Sequence, residues 1–218
     1  MYKIKKHKPC DMPGDEELRV LVLNASLKHK GDSQPSNTEE VAQLVLDNMA
    51  GKIKSEIIRL SDKNIPVGLS FKESPDDEWP GIVEKIKAAD IVIFATPIWW
   101  GGRSSLIQRV IERMDALDEE YRADGRSALY NKVAGMVVTG SEDGVLSVMG
   151  SIMMVLTWLG FTLPPECCAY WVGEVGQPTS TDRERRLKNE ATKHMAKNMA
   201  RNLVYYAQLL KTHPLNPK

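Results

Sequence analysis

The sequence predicts an α/β fold built on a doubly wound, five-stranded parallel sheet with helices on both faces. Three observations predict it. Short apolar runs of strand length alternate with longer segments whose apolar residues recur at helical spacing. The short runs are apolar at nearly every position, as strands covered on both faces must be. Glycine and proline punctuate the joins.

The elements follow in order. Residues 19–24 form the first strand, and a loop rich in Ser, Lys, Gly and Asn leads from it to a helix that begins near Ser36. Ser36 and Glu39 have capping-box spacing; Val41, Leu44, Val45 and Met49 share a helical face, and Gly51 supplies the stop. Residues 56–60 are the second strand. Pro80 suits a first helical turn, and Ile82, Val83, Ile86 and Ala89 make the next apolar face. Residues 90–95 are the third strand, followed by an amphipathic helix carrying Leu106, Ile107, Val110, Ile111, Met114 and Leu117. Residues 133–138 are the fourth strand. A largely apolar helix over 145–159 ends at Gly160, and residues 161–163 with 169–172 form a fifth strand split by an insertion. Thr181 and Glu184, again at capping-box spacing, open a last helix over 181–212 with Leu187, Ala191, Met195, Met199, Leu203 and Leu210 on one face. One domain over 18–212 results. It is flanked by an arm over 1–17, read as solvated or as docking across a subunit interface, and by a tail over 213–218.

Charge and cysteine content narrow the partners. The 29 basic and 29 acidic residues cancel, so nothing in the balance attracts nucleic acid or an anionic membrane. Cys10, Cys167 and Cys168 show no metal-site spacing, which points to a reducing, cytoplasmic setting and to no bound metal. The uncharged stretch 145–165 is broken by Gly150, Gly160 and Pro164, and reads as a buried helix and strand rather than a membrane span. A helix apolar on nearly all sides wants a second buried surface. Residues 145–159 therefore predict a homodimer or homotetramer, unless the chain's own C-terminal segment covers them.

Doubly wound sheets bind ligands at the carboxyl ends of their strands, so the loops after strands one, three and four carry the candidate site. The first offers a helix start with neutral donors on Ser26, Ser36, Asn37 and Thr38 and a cation on Lys28, which suits a phosphate; the same residues also suit a plain capping loop. The second, with Thr96, Pro97, Ile98, Trp99, Trp100, Gly101 and Gly102, suits a flat aromatic ligand, the alternative being tryptophans placed in the core or an interface. The third, with Thr139, Gly140, Ser141, Glu142, Asp143 and Gly144, suits a turn close to a ligand, or an ordinary turn with Ser141 or Asp143 as a helix cap. The chain contains neither G-x-G-x-x-G nor G-x-x-x-x-G-K-[ST], so neither a dinucleotide fingerprint nor a P-loop is present.

Taken together, the three loops resemble the NADPH-dependent FMN reductases of the flavodoxin-like superfamily. Ser26 with Ser36, Asn37 and Thr38, then residues 96–101, then residues 139–144 carry the likeness, which runs over roughly 19–175. Residues 96–101 are its most specific part and resemble the pattern of the iron–sulfur flavoproteins and multimeric quinone reductases. The resemblance implies that the first loop holds the phosphate of FMN and the other two its ring. It also implies NADPH or NADH as co-substrate, and a quinone, a flavin or a related small molecule as electron acceptor. The flavin then carries the chemistry, and no side chain is named as catalytic. An FMN-binding electron carrier is the rival reading. The chain departs from the family in the inserted residues 29–35 and in Ala25 where a glycine is usual, so that Ser33 or Gln34 are further candidates for the phosphate. The cysteine cluster of the iron–sulfur branch is absent. Arg103, beside the second loop, is a candidate contact for a 2′-phosphate.

Overall fold

The computed structural model describes residues 14–117, 121–123 and 125–216. Most of the arm over 1–17, Cys10 and the end of the tail lie outside them.

The sheet has the order β2-β1-β3-β5-β6, all parallel, where β1 is Leu18–Asn24, β2 Ile53–Arg59, β3 Ile91–Trp99, β5 Val133–Gly140 and β6 Cys168–Val172. These are the five strands expected from the sequence. A sixth, the two-residue β4 (Gly102–Arg103), folds back antiparallel on the end of β3. The central strands β3 and β5 are buried at almost every position, whereas the edge strand β2 exposes Lys54, Ser55 and Glu56. That contrast is the physical content of the apolar runs: two-sided cover demands them, and an exposed edge is kept charged against further pairing. The expected split in the fifth strand appears as a lone bridge from Thr162 to Val133 ahead of β6.

Two helices, α1 (Asn37–Asp47) and the long α6 (Glu190–Thr212), pack on one face of the sheet and against each other. The crossover helices α2 (Trp79–Ala88), α3 (Ser105–Arg113) and α4 (Val145–Trp158) serve the other. Ser36 caps α1 as expected, its Oγ accepting the Glu39 N–H at 3.1 Å. Glu39 does not complete the capping box. Its carboxylate accepts from Asn24 Nδ2 at 2.7 Å and from Arg59, tying the helix to the ends of β1 and β2. Asn48 rather than Gly51 ends α1.

The C-terminal helix expected over 181–212 is two helices, α5 (Thr179–Lys188) and α6, broken at Asn189. Asn189 has extended backbone, and its side chain accepts the Thr192 N–H at 2.8 Å, so an internal N-cap starts a new helix in a new direction. Thr181 lies inside α5 and is not its cap. The face of α6 that meets the sheet carries Ala196, Met199, Ala200, Leu203, Val204, Ala207 and Leu210; Ala191 is exposed. Because α6 packs on the sheet face shared with α1, it leaves α4 uncovered, and Leu146 and Trp158 remain 82% and 87% exposed.

A buried ion pair pins the long connection between β2 and α2. Arg113, at the end of α3, donates to Asp77 at 2.8 Å and to the carbonyls of Pro66, Ser70 and Phe71. Asp77 also accepts the N–H groups of Glu73 and Trp79. Burial works to raise the Asp77 carboxyl, but those hydrogen bonds and the guanidinium outweigh it and hold it below the usual carboxylate range. Replacing Asp77 by Ala strands the buried guanidinium, and urea unfolding is expected to show a loss of about 3–5 kcal/mol. The sign with pH follows from the depressed carboxyl. The stabilisation is present above the unfolded Asp value of about 3.9 and is lost as pH falls through the lower folded value, so the gap between the wild type and Asp77→Asn should close on acidification.

Candidate functional site

Parallel pairing brings Asn24 beside Ala95, Pro97 beside Thr139, and Gly140 beside Val172, so the first three loops of interest leave the sheet at one edge. Side chains then lock them together. Asn24, fully buried, accepts the Ser26 N–H at 3.1 Å and donates to Glu39, which turns the first loop back toward α1. Ser104 caps α3, donates to the Ala25 carbonyl at 2.9 Å, and accepts from Thr96 Oγ1. Thr38 and Thr139 share a buried hydrogen bond of 2.8 Å that joins the first turn of α1 to the end of β5.

The second and third loops touch through backbone. Gly144, at φ +135°, lies so close to Gly101 that a Cβ would sit 2.9 Å from its backbone. A side chain at Gly140 would meet Ile98 at the same distance. Trp100 takes the left-handed conformation at φ +49°, with its N–H donated to Glu142 at 2.8 Å. The inserted residues 29–35 fold onto the end of β2: Arg59 donates to the His29 carbonyl, Ser61 to that of Lys28, and His29 pairs with Asp62.

These contacts frame a pocket of about 300 Å³ at the carboxyl edge of the sheet. Of the residues expected from the sequence, Ser26, Lys28, Asn37, Thr38, Pro97, Ile98, Trp99, Thr139, Gly140 and Ser141 line it. Ser36 does not, because it is buried with its hydroxyl committed to capping α1. Trp100, Gly101, Asp143 and Gly144 also lie off the lining. The strained turn at Trp100 throws its indole outward to 92% exposure, and Gly101 and Gly144 spend their freedom on each other. Ser33 and Gln34 are exposed and off the lining as well. Neither Ser141 nor Asp143 caps α4, whose N-cap position is Gly144.

A fourth wall has no counterpart in the sequence-based expectations. Leu27 and Glu142 come from known loops, but Glu174, Gly176, Gln177 and Asp182 come from the connection after β6 and the first turn of α5. Asp182 accepts from Trp171 Nε1 at 3.0 Å and from Arg186. Glu174 pairs with Arg185 at 2.7 Å, which holds its carboxyl below the usual range. Lys28 donates to the Pro35 carbonyl at 3.1 Å, and burial, then the charge of Arg186, lowers its ammonium from the usual lysine range. One end of the pocket thus joins a cation to the first turn of α1, where N–H groups have no carbonyl to reach within the helix. Pro97, Ile98 and Trp99 add an apolar stretch to its wall. Asn37 Oδ1, by the first turn, is buried without a partner. Among the described residues no cluster of three metal-ligating side chains occurs, and no helix is long and apolar enough to cross a membrane.

Comparison with known proteins agrees with this frame. The 8-demethyl-8-aminoriboflavin-5′-phosphate synthase of Streptomyces davaonensis is 29% identical over 90% of this chain and 80% of its own length. A segment of the divalent metal cation transporter MntH of Mycobacterium bovis is 32% identical over 91% of this chain, which spans 30% of the length of that relative. The structure of RosB with the bound intermediate 8-demethyl-8-formylriboflavin-5′-phosphate superposes with a TM-score of 0.76 at 27% identity, covering 91% of this chain and 82% of that one. An apo NADH:FMN oxidoreductase, at 17% identity and a TM-score of 0.63 over 90% of this chain and 92% of its own, shares the fold. The family model of the NADPH-dependent FMN reductases matches residues 18–174, and the chain belongs to that family, with the flavodoxin-like fold that the loops pointed to.

Proposed function

We propose that the pocket holds FMN, and that the protein, an FMN-dependent oxidoreductase by family, takes electrons from NADPH or NADH and passes them to a flavin, a quinone or a related small acceptor. The observation that carries this reading is one pocket with an anion-binding end and a flat apolar end, fastened together by the Thr38–Thr139 hydrogen bond. The residues present fit the group. Asn37 Oδ1, buried without a partner, is an acceptor waiting for a donor such as a ribityl hydroxyl. The phosphate would be held by the first-turn N–H groups of α1 with Ser26, Thr38 and Lys28; the ring would lie against Pro97, Ile98 and Trp99, with Thr139, Gly140 and Ser141 at its edge.

FMN bound there supplies two-electron exchange with a nicotinamide. The chain's own part is to bind, orient and exclude water. The Gly101–Gly144 contact and the Glu142–Trp100 hydrogen bond keep the ring-side loops rigid, and Trp99, half exposed, walls the side from which a second ring would approach. Arg103 donates to Gln108 at 2.5 Å, and its Nη1 is buried outside the pocket lining, so contact with a 2′-phosphate would need its side chain to move. The neutral chain does not favour the carrier reading, since a carrier relies on surface charge to steer its partner. The same neutrality argues for a small-molecule acceptor rather than nucleic acid or a membrane. The thiols of Cys167 and Cys168 are free and buried, in keeping with a cytoplasmic setting.

The likeness to the aminoriboflavin-5′-phosphate synthase favours a second reading, in which the flavin is substrate rather than resident cofactor. The two differ in outcome. Under the first reading, anaerobic mixing with NADPH or NADH bleaches the flavin, a quinone restores it, and the released flavin keeps the mass of FMN. A changed flavin mass after incubation in air with an amino donor, which replacement of a ring methyl by an amino group requires, supports the second. If neither nucleotide reduces the flavin while dithionite does, the carrier reading stands instead.

Binding itself is testable. Thr38→Ala should weaken FMN binding by about ten- to a hundred-fold, the weight of a hydrogen bond to a charged group, and Asn37→Ala by about ten-fold or less, the weight of a neutral one, as read by flavin fluorescence titration.

The uncovered face of α4, with Leu146, Met154 and Trp158, is proposed to bind a second copy as a homodimer or homotetramer. Light scattering at micromolar concentration should give a multiple of the chain mass, and Trp158→Glu should lower it. A monomeric wild type removes the assembly.

A further inference from the structure

We infer that Arg186, which does not itself line the pocket, sets the preference of this site for a phosphorylated over an unphosphorylated flavin; the inference rests on reading the pocket as an FMN site.

The anion-binding end has a contradictory composition. Lys28, Asn37 and Thr38 line the pocket, but so do Glu174 and Asp182, and Asp182 is close enough to Lys28 to act on its ammonium. A phosphate dianion opposite two carboxylates is repelled unless their charge is cancelled close by. Glu174 is exposed and paired with Arg185, so solvent and that partner screen it. Asp182 is different. Its side chain is only 15% exposed, and both oxygens are held, one by Trp171 Nε1 at 3.0 Å and the other by Arg186.

Arg186 is what cancels it. The guanidinium is 1% exposed and bridges two carboxylates, Asp182 on the pocket wall and Glu40 at 2.5 Å, which sits one residue past Glu39 in the first turns of α1. Arg183 takes the other oxygen of Glu40 at 2.5 Å. Two cations and two anions therefore sum to zero in a cluster that reaches the pocket wall through Asp182. Without Arg186 the cluster carries a net negative charge beside the pocket, in a place where burial weakens screening. Lys28, on the pocket lining, is close enough to feel the cluster: burial and then Arg186 lower its ammonium, while Glu40 and Asp182 work to raise it. The fork of the guanidinium matters as well as its charge, since it fixes both carboxylates at once.

The dissociation constants of FMN and riboflavin, measured side by side on the full chain by fluorescence quenching, test this. The wild type should favour FMN. In Arg186→Met the preference should fall by roughly ten-fold, the weight of one partly screened charge, with riboflavin affinity little changed. A merely structural role would instead weaken both ligands in parallel and leave the ratio alone. Arg186→Met with Asp182→Asn, which restores neutrality, should regain most of the preference. Should Arg186→Met fail to fold, Asp182→Asn alone carries the test: it removes the wall charge and should raise the preference for FMN. An unmoved ratio in Arg186→Met, or a lowered one in Asp182→Asn, overturns the inference. A wild type that binds both ligands equally overturns it too, while leaving FMN binding intact. A wild type that binds neither overturns the pocket reading itself.

Discussion

The parallel pairing of β1, β3 and β5 is the constraint on which the rest of the molecule depends. Parallel strands cannot be joined by a tight turn, so each must be followed by a crossover, and each crossover leaves from the same edge of the sheet. Three loops from distant parts of the chain are thereby delivered to one place. Their convergence is cheap because it follows from the hydrogen-bond ladder itself, with Asn24 level with Ala95 and Pro97 level with Thr139. What remained to be specified was local: a buried hydroxyl pair between Thr38 and Thr139, a cap at Ser104 that also reaches Ala25, and two glycines that let the ring-side loops touch. Each is a short-range device acting on geometry already set by the sheet.

The electrostatics of the site are set by elements that arrive last in the chain. A helix start and one lysine make one end of the pocket receptive to an anion, while the segment after β6 closes it with carboxylates. A wall of that kind is tolerable only because arginines on α5 pair with every one of them that the segment presents. The same helix reaches back to Glu40 on α1, so the wall and the anion-binding turn share a counter-ion. The cluster costs desolvation, and a buried arginine between two carboxylates is weak evidence for stability in itself. Its placement at the pocket wall is better explained by the potential it creates there than by the energy it adds to the fold.

How much of this was legible in the sequence depended on whether the signal was local. The five main strands were legible because two-sided burial leaves an unbroken apolar run, and the start of α1 because an N-cap needs a side-chain oxygen such as that of Ser36. The three loops were legible because glycine, proline and aromatic residues cluster there. Other features had no local signal. β4 is two residues long, and nothing in Gly102–Arg103 distinguishes a strand from a turn. The break at Asn189 hides because the apolar residues on both sides keep to a helical period, and only the extended backbone of Asn189 and its cap on Thr192 show that the helix restarts. Glu174, Gln177 and Asp182 read as an ordinary polar stretch, since their place at the pocket is decided by tertiary packing of α5 against α1. Glu39 suggested a capping box, yet lost that role to Arg59 and Asn24, stronger partners brought near by β1 and β2.

Trp100 shows how local strain and outward function are linked. A non-glycine residue at positive φ is costly, and a bulky one more so, hence some other contact must hold it there. Glu142 does, by accepting its N–H from across the third loop, while Gly144 lies too close to Gly101 for the turn to relax toward α4. The consequence is a nearly bare indole, off the pocket lining but next in the chain to Trp99, which is on it. Large exposed aromatics are unusual on an isolated surface. Here Trp100 stands in sequence next to Trp99, which lines the pocket, and in space next to the helix whose outer face carries Leu146 and Trp158. The strained turn thus connects the proposed ring-binding wall with the proposed assembly face. The link between the two is the Gly101–Gly144 approach, which fastens the strained turn to the N-cap of α4.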